Sequence, residues 1–515
     1  MKTANKSLKK VLNEHELPTS SMYREPLRRP YSRVIRSLKV ILDIQNQEQV
    51  MHLIKRVSKV HHLTIQVNMP SAQIKRYFIK KSSFFMRVAG LRGENVTIQT
   101  PDSISNTYKI LSKYLKGYKI LRIEQYDRKH LSQASFVIFG EKAETRQITA
   151  DMIGLRTKLQ ADALRLIPVF ENLTVLNLST ELIYENIPSG DSFILKETIG
   201  KLTKLKKWDF VNTAVSNIQT GAPLNDLSVV LEQLKTLEKL SVRINLYDSE
   251  ANVVRKLVTS IQCLGNLEIL ELYVTIINKQ FYNKSFQVNT VNLPKLKKFI
   301  ATASNLPEER LVLSCIKNFR SLIWLDLGIS IANRDSYRSL VSSIQVNRDL
   351  EVLKLVFKFG MSIPGTEDLA EVLEHHKNLR QFQLKCYGKQ YPPARGLKRI
   401  LIMFQSLKHL ESFEFSSTKE FEIPAQSFQE IMALTSMLKG LKELVIEFKL
   451  TENVEDKQAL LKNLLENLEF LKKISIEIKG LKMNQNYRHQ LERYCIERNM
   501  EGFSLNSTPS FIYEW

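Results

Sequence analysis

The pattern L-x-x-L-x-L recurs through most of this 515-residue chain and leaves few folds open to it. It stands at Leu322-Ile323-Trp324-Leu325-Asp326-Leu327 and again at Leu350-Glu351-Val352-Leu353-Lys354-Leu355. Between the two lies Asp335 to Val346, where Tyr337, Leu340, Val341 and Ile344 fall at helical spacing. One unit is thus a short strand followed by a helix. Repeated at this length, such a unit specifies a solenoid, in which each unit contacts its neighbours and none can bury its apolar face alone.

The first apolar position falls at Leu173, Leu205, Leu237, Leu267, Leu296, Leu322, Leu350, Leu379, Leu410, Leu441 and Leu471, eleven units with steps of 26 to 32 residues. Strand geometry sends the fourth and sixth positions inward and the residues between them to the opposite face. The intervening segments carry apolar residues three and four apart, as in Leu227, Val230, Leu231 and Leu234, or Leu397, Ile400, Leu401 and Phe404. That is the stripe a helix needs in order to bury one side. Stacked strands form one parallel sheet with neighbours about 4.8 Å apart, whereas packed helices need about 8–10 Å. The row is therefore expected to bend, with a concave sheet inside and convex helices outside.

On these residues the array resembles the ribonuclease-inhibitor-like leucine-rich repeat proteins, whose long units carry convex helices. The resemblance covers Leu173 to about Ile478 and, more loosely, the preceding 130 residues. It implies an α/β leucine-rich repeat solenoid, or horseshoe. The family pattern places Asn or Cys three residues after the last strand leucine. Here that place holds Asn245 once, and Thr213, Thr275, Ser304, Ser330 and Thr418 elsewhere, so the polar ladder is broken and irregular turns are expected.

Four regions are expected: a basic tail or irregular cap at 1–36, degenerate N-terminal repeats or a small cap region at 37–170, the eleven regular units at 171–480, and a C-terminal helix and cap at 481–515. In the second region short strands are read at Val40–Ile44, Leu63–Val67, Val96–Thr100, Ile120–Glu124 and Phe136–Phe139, with helical patterns at Gln47 to Val57 and Thr107 to Leu115. A last helix is read at Asn486–Ile496, and Met500 to Trp515 is read as a cover for the solenoid end.

Charge is unevenly spread. Residues 1–130 hold 26 basic and 9 acidic residues, while the whole chain carries a net of +22. Arg28, Arg29, Arg33 and Arg36 cluster around Tyr31, and Lys75, Arg76, Lys80 and Lys81 interleave with Tyr77, Phe78, Phe84 and Phe85. Phosphate neutralisation with aromatics available for stacking makes these eight residues the candidates for binding nucleic acid or another polyanion. The competing reading is a solvated basic face over a core of those same phenylalanines.

Cys263, Cys315, Cys386 and Cys495 stand far apart with no C-x-x-C pair, which points away from zinc sites and disulfide frameworks and towards a reducing, intracellular compartment. The cytoplasm is the expected location, with the mitochondrion and nucleus as alternatives. No run of about 18 apolar residues occurs. Phosphate-binding glycine loops, nucleophile elbows, H-E-x-x-H and kinase motifs are missing too, and the pairs His61-His62 and His375-His376 diverge too far to chelate alone. No enzyme activity, cofactor or metal is expected.

Function then falls to the outward strand positions. Arg243, Glu271, Tyr273, Lys298, Trp324, Asp326, Lys354 and Gln383 are the candidate contacts for a protein partner on the concave surface, with Tyr273 and Trp324 as aromatic anchors. The reading is a non-catalytic interaction scaffold, a subunit or adaptor of a larger assembly. Polyanion binding through the basic N-terminal 130 residues is one alternative, and the substrate-recognition subunit of a ubiquitin ligase is another.

Overall fold

In the computed structural model, the described residues are 35–42, 59–67, 92–100, 104–111, 118–127, 132–139, 145–152, 157–180, 194–212, 222–246, 251–276, 293–303, 306–331, 334–357, 363–387, 394–417, 422–450, 457–479, 485–498, 500 and 502–506. The chain divides into two units, Met1–Leu264 and Gly265–Trp515. The first carries strands β1 (Ile35–Leu42), β2 (Lys59–Val67), β3 (Arg92–Thr100), β4 (Ile120–Asp127), β5 (Ser132–Phe139), β6 (Gln147–Met152), β7 (Val175–Thr180), β8 (Lys207–Asn212) and β9 (Lys239–Leu246). The second carries β10 (Ile269–Ile276), β11 (Lys298–Ala303), β12 (Trp324–Ile329), β13 (Val352–Phe357), β14 (Gln381–Cys386), β15 (Ser412–Ser417), β16 (Glu422–Ile423), β17 (Glu443–Leu450), β18 (Lys473–Lys479) and β19 (Gly502–Asn506).

Among the described residues of the second unit every strand pairing is parallel, and the motif strands pair in register with the leucine pattern. The fourth motif position forms one continuous row: Leu270, Phe299, Leu325, Leu353, Phe382, Phe413, Leu444 and Ile474 each face the next. All of them are buried. The row exists because β-strand alternation places these side chains on one face, and because the helices cover that face. Helices Ile363–Leu373 and Ala394–Phe404 pack side by side, as do Ala425–Ser436 and Lys457–Asn467. Among the described residues the opposite face is the less covered one, its residues alternating as half-buried positions along β11, β13 and β14. Strand, turn and helix in this order, stacked in register, form an α/β leucine-rich repeat solenoid.

A second buried column explains how each helix hands the chain back to the sheet. Three residues before the first motif leucine stands Phe170, Leu202, Leu234, Leu264, Leu293, Phe319, Asn347, His376, Leu407, Leu438 or Leu468, all buried. A tight turn joins the two columns. The motif leucine donates its N–H to the carbonyl of the column residue, as in Leu205 to Leu202 at 3.0 Å, Leu379 to His376 at 3.0 Å and Leu441 to Leu438 at 3.0 Å. The turn lets both side chains enter the core.

Two successive members of this column are polar. Asn347 donates from Nδ2 to the Ser343 carbonyl (2.9 Å) and accepts at Oδ1 from the Leu322 N–H of the preceding repeat (3.4 Å). One ring nitrogen of His376 lies 2.9 Å from the Val372 carbonyl, and the other lies 3.1 Å from the Ile344 carbonyl of the preceding repeat. Buried polar groups persist where such partners are supplied, and here the partners also tie neighbouring repeats together.

In the first unit β1 to β4 pair in parallel, as do β6 to β9. Between them the sheet is not wholly parallel, because β5 runs antiparallel to both β4 and β6. The reason is length. Four residues separate Asp127 from Ser132 and seven separate Phe139 from Gln147, whereas a parallel crossover needs about a dozen or more. Phe136 and Ile138 of β5 are nonetheless fully buried. Strand β6, absent from the sequence reading, returns the chain to the common direction.

Of the strand pieces read before residue 140, those at Leu63–Val67, Val96–Thr100, Ile120–Glu124 and Phe136–Phe139 fall within β2 to β5, while Val40–Ile44 overlaps the end of β1, with residues 43–44 outside the described residues. Helix Ile104–Leu111 overlaps the pattern read at Thr107 to Leu115, while Gln47 to Val57 lies outside the described residues. At the other end, helix Gln485–Glu497 is followed by β19, which extends the sheet by pairing in parallel with β18. Arg498 locks this end by donating to the carbonyls of Leu465 (2.6 Å), Leu468 (3.1 Å) and Glu469 (2.6 Å). Among the described residues no helix is long and apolar enough to cross a membrane.

Candidate partner-binding face

The less covered face of the second unit centres on Trp324. In β12 this residue lies opposite Lys298 of β11 and Val352 of β13, with Lys354 two positions further along β13. The Lys298 ammonium lies 4.1 Å from the indole centroid and the Lys354 ammonium 5.1 Å. Two cations reaching one ring from the two flanking strands are held there by its quadrupole. The indole Nε1 is buried and has no acceptor among the described residues. The same holds for Trp208 in the core of the first unit, so the orphaned N–H marks nothing by itself.

Asp326 follows on the same face, directly opposite Lys354. Partial burial pushes its carboxyl pKa up, against the opposing pull of Lys354, Lys298 and Lys385. Lys385 is already committed to Glu414 of the next strand at 2.7 Å. Burial works against its charge while the bonded Glu414 restores it, leaving the ammonium pKa raised. Around Trp324 there remain two ammoniums and one half-buried carboxylate. Beyond Asp326 the face narrows at Gly328, where an added Cβ would stand 3.2 Å from Thr302 Cγ2.

The rim just before each strand carries its own pattern. The residue after the first motif leucine pairs with its counterpart in the adjacent repeat: Lys206 with Glu238 (2.7 Å) in the first unit, and Glu268 with Lys297 (3.2 Å), Glu351 with Arg380 (3.7 Å) and Glu411 with Lys442 (2.9 Å) in the second. The Lys442 ammonium bonded to Glu411, with Arg380 nearby, holds that carboxyl below its usual range. At β12 the same position is Ile323, an apolar side chain 37% exposed.

Glu271, Tyr273, Lys298, Trp324, Asp326, Lys354 and Gln383 all lie half-buried on strands of the second unit, and Arg243 lies exposed on β9 of the first. The structure brings Lys298, Trp324, Asp326 and Lys354 together. Gln383 stands in the same cross-strand row, between Lys354 and Glu414. Glu271 and Tyr273 sit on β10, opposite Ile300 and Thr302. Of the polyanion candidates, Arg36 belongs to β1, and Arg28, Arg29, Arg33, Lys75, Arg76, Lys80 and Lys81 lie outside the described residues. Ile323 was missed, although the charged residues at its position in neighbouring units could have singled it out.

Neither a comparison with protein families nor a search of curated proteins finds a match to this chain. Among solved structures, the crystal structure of a TLR13–ssRNA13 complex aligns over 91% of this chain and 83% of that one, at 12% identity and a TM-score of 0.22. That superposition is too loose to carry weight. The fold assignment rests on this chain's own strand register and buried columns.

Proposed function

We propose that this chain is a non-enzymatic protein-interaction scaffold, a subunit or adaptor of a larger assembly, that holds a partner on the less covered sheet face of its second unit. The observation that carries the reading is the Lys298–Trp324–Lys354 cluster, an aromatic anchor on a frame of in-register strands. Interfaces concentrate their energy in such residues, and a hot-spot truncation costs about 2 kcal/mol or more. Rigid strands hold the anchor in place before a partner arrives, which lowers the cost of ordering it on binding.

The test is affinity purification from the native cell, comparing wild type with Trp324→Ala and with Trp324→Ala combined with Tyr273→Ala. Capture of a specific protein should fall roughly thirtyfold for a hot spot of that size. Circular dichroism should stay close to wild type and the thermal midpoint should fall little, since both residues lie on the strand face opposite the buried leucine row. Undiminished capture by the double variant sinks the reading.

The charge of residues 1–130 supports a second reading, polyanion binding through that segment. It requires oligonucleotide or heparin binding that weakens steeply with salt and disappears when Arg28, Arg29, Arg33, Arg36, Lys75, Arg76, Lys80 and Lys81 are neutralised together. A flat salt dependence counts against it.

A further inference from the structure

Between Glu268 and Lys442 the rim ladder of the second unit is interrupted at one repeat, and the interruption adjoins the indole cluster. On one side of Ile323, Lys297 is paired with Glu268, and on the other Glu351 is paired with Arg380. Ile323 makes backbone bonds to both neighbours, its N–H to the Lys297 carbonyl at 2.8 Å and its carbonyl to the Glu351 N–H at 2.9 Å. The ladder therefore runs through this repeat structurally and breaks only in side-chain chemistry. Ile323 leaves an exposed apolar side chain where its neighbours carry ion pairs, and Trp324 is the next residue, its Cα about 3.8 Å away. Among the described residues neither Lys298 nor Lys354 forms an ion pair, and both ammoniums rest on the indole.

We infer that this break is the docking point for a partner segment that carries a carboxylate side chain beside a large apolar one. The carboxylate meets the Lys298 and Lys354 ammoniums over Trp324, while the apolar side chain covers Ile323. A segment crossing the rim onto the sheet touches both. Charge complementarity favours a single carboxylate over a nucleic-acid strand for two reasons. The indole lies under ammoniums instead of presenting an open stacking surface, and the nearest rim cations, Lys297 and Arg380, are already bonded to Glu268 and Glu351, so the two ammoniums make a site for one carboxylate more than a track for a phosphate chain. This identification rests on the scaffold reading above and adds the chemistry of the partner to it.

The experiment is a selection of displayed short random peptides on the purified full-length chain, with Trp324→Ala as counter-selector. Peptides that depend on Trp324 should be enriched in Asp or Glu next to Leu, Ile, Phe or Met. For a synthetic copy of an enriched peptide, affinity should fall about tenfold or more when its acid is changed to the amide, and likewise in the variant Lys298→Ala with Lys354→Ala. Arginine at both positions should restore binding, and Ile323→Ser should weaken it. If Trp324-dependent peptides emerge without an acidic residue, or ignore the lysine changes, the acidic–apolar occupant is wrong and the scaffold reading stands. If no selected peptide depends on Trp324, both fall. A single-stranded oligonucleotide that binds in a Trp324-dependent way overturns the peptide in favour of a nucleic acid.

Discussion

Phe382 shows how much one side chain of a repeat carries. Its ring centroid lies 5.0 Å from that of Phe404 and 6.4 Å from that of Phe413, which are themselves 5.5 Å apart, and all three rings are buried. Phe382→Ala should cost about 3–5 kcal/mol in equilibrium denaturation, from lost transfer energy and from a cavity that in-register neighbours cannot collapse to fill. Asp326 tests the open face in the opposite sense. Its carboxyl pKa is raised by burial, so it favours the fold at low pH and loses that contribution as pH rises through the folded value. Asp326→Asn cannot ionise. The variant should therefore be more stable than wild type at neutral pH, with the gap closing as pH falls into the carboxylate range. Thermal midpoints at the two pH values measure this, and a constant gap rejects it. The outward placement of Trp324, Asp326 and Lys354 was legible from strand alternation alone. That two lysines would converge on one indole was not, because it depends on register between strands a whole repeat apart in sequence.

At the scale of the element, the join between helix and strand is as regular as the strand itself. A buried residue stands three places before the first motif leucine in every regular unit, and a tight turn joins the two in most of them, the Leu322 N–H going instead to Asn347. This column went unread because L-x-x-L-x-L accounts for the strand and stops there. His376 allows the join to be tested. The Val372 and Ile344 carbonyls it reaches already accept backbone N–H groups from His375 (3.1 Å) and Asn347 (3.0 Å). Restoring the usual apolar residue with His376→Leu should therefore leave stability within about 1 kcal/mol of wild type, whereas His376→Ala opens a cavity and should cost about 2 kcal/mol or more. Urea denaturation of the pair decides, and equal losses would show that the ring acts through its hydrogen bonds. Strand β5 marks the other limit of sequence reading. Its apolar run Phe136–Phe139 announced a strand, but direction was written only in the shortness of the connections on either side.

For the molecule as a whole, a solenoid's stability is shared between neighbours, so damage should spread by repeat distance. Amide exchange in Phe382→Ala should rise first in β13, β14 and β15 and least in β18 and β19. Uniform acceleration through the second unit would instead indicate one cooperative block. The four cysteines report on native packing in both units. Cys315, Cys386 and Cys495 are buried, with the Cys386 thiol pushed up to about 12 and the Cys495 thiol to about 11, while Cys263 is exposed. Because the thiolate is the reactive form, a thiol reagent should modify Cys263 first under native conditions and the other three only on unfolding. Equal labelling of all four by mass spectrometry would contradict the buried columns.

The rim ladder has a consequence for how such a chain can grow or shrink. From Glu351 through Arg380 and Glu411 to Lys442 the signs alternate, repeat by repeat. Excise the repeat of Arg380 and two glutamates become neighbours; excise that of Glu411 and an arginine meets a lysine. Losing or duplicating those two repeats together keeps every contact between Glu351 and Lys442 attractive. Each contact is worth about 0–1 kcal/mol at the surface, yet the alternation works as a parity check on repeat number, with Ile323 a position that tolerates either sign beside it.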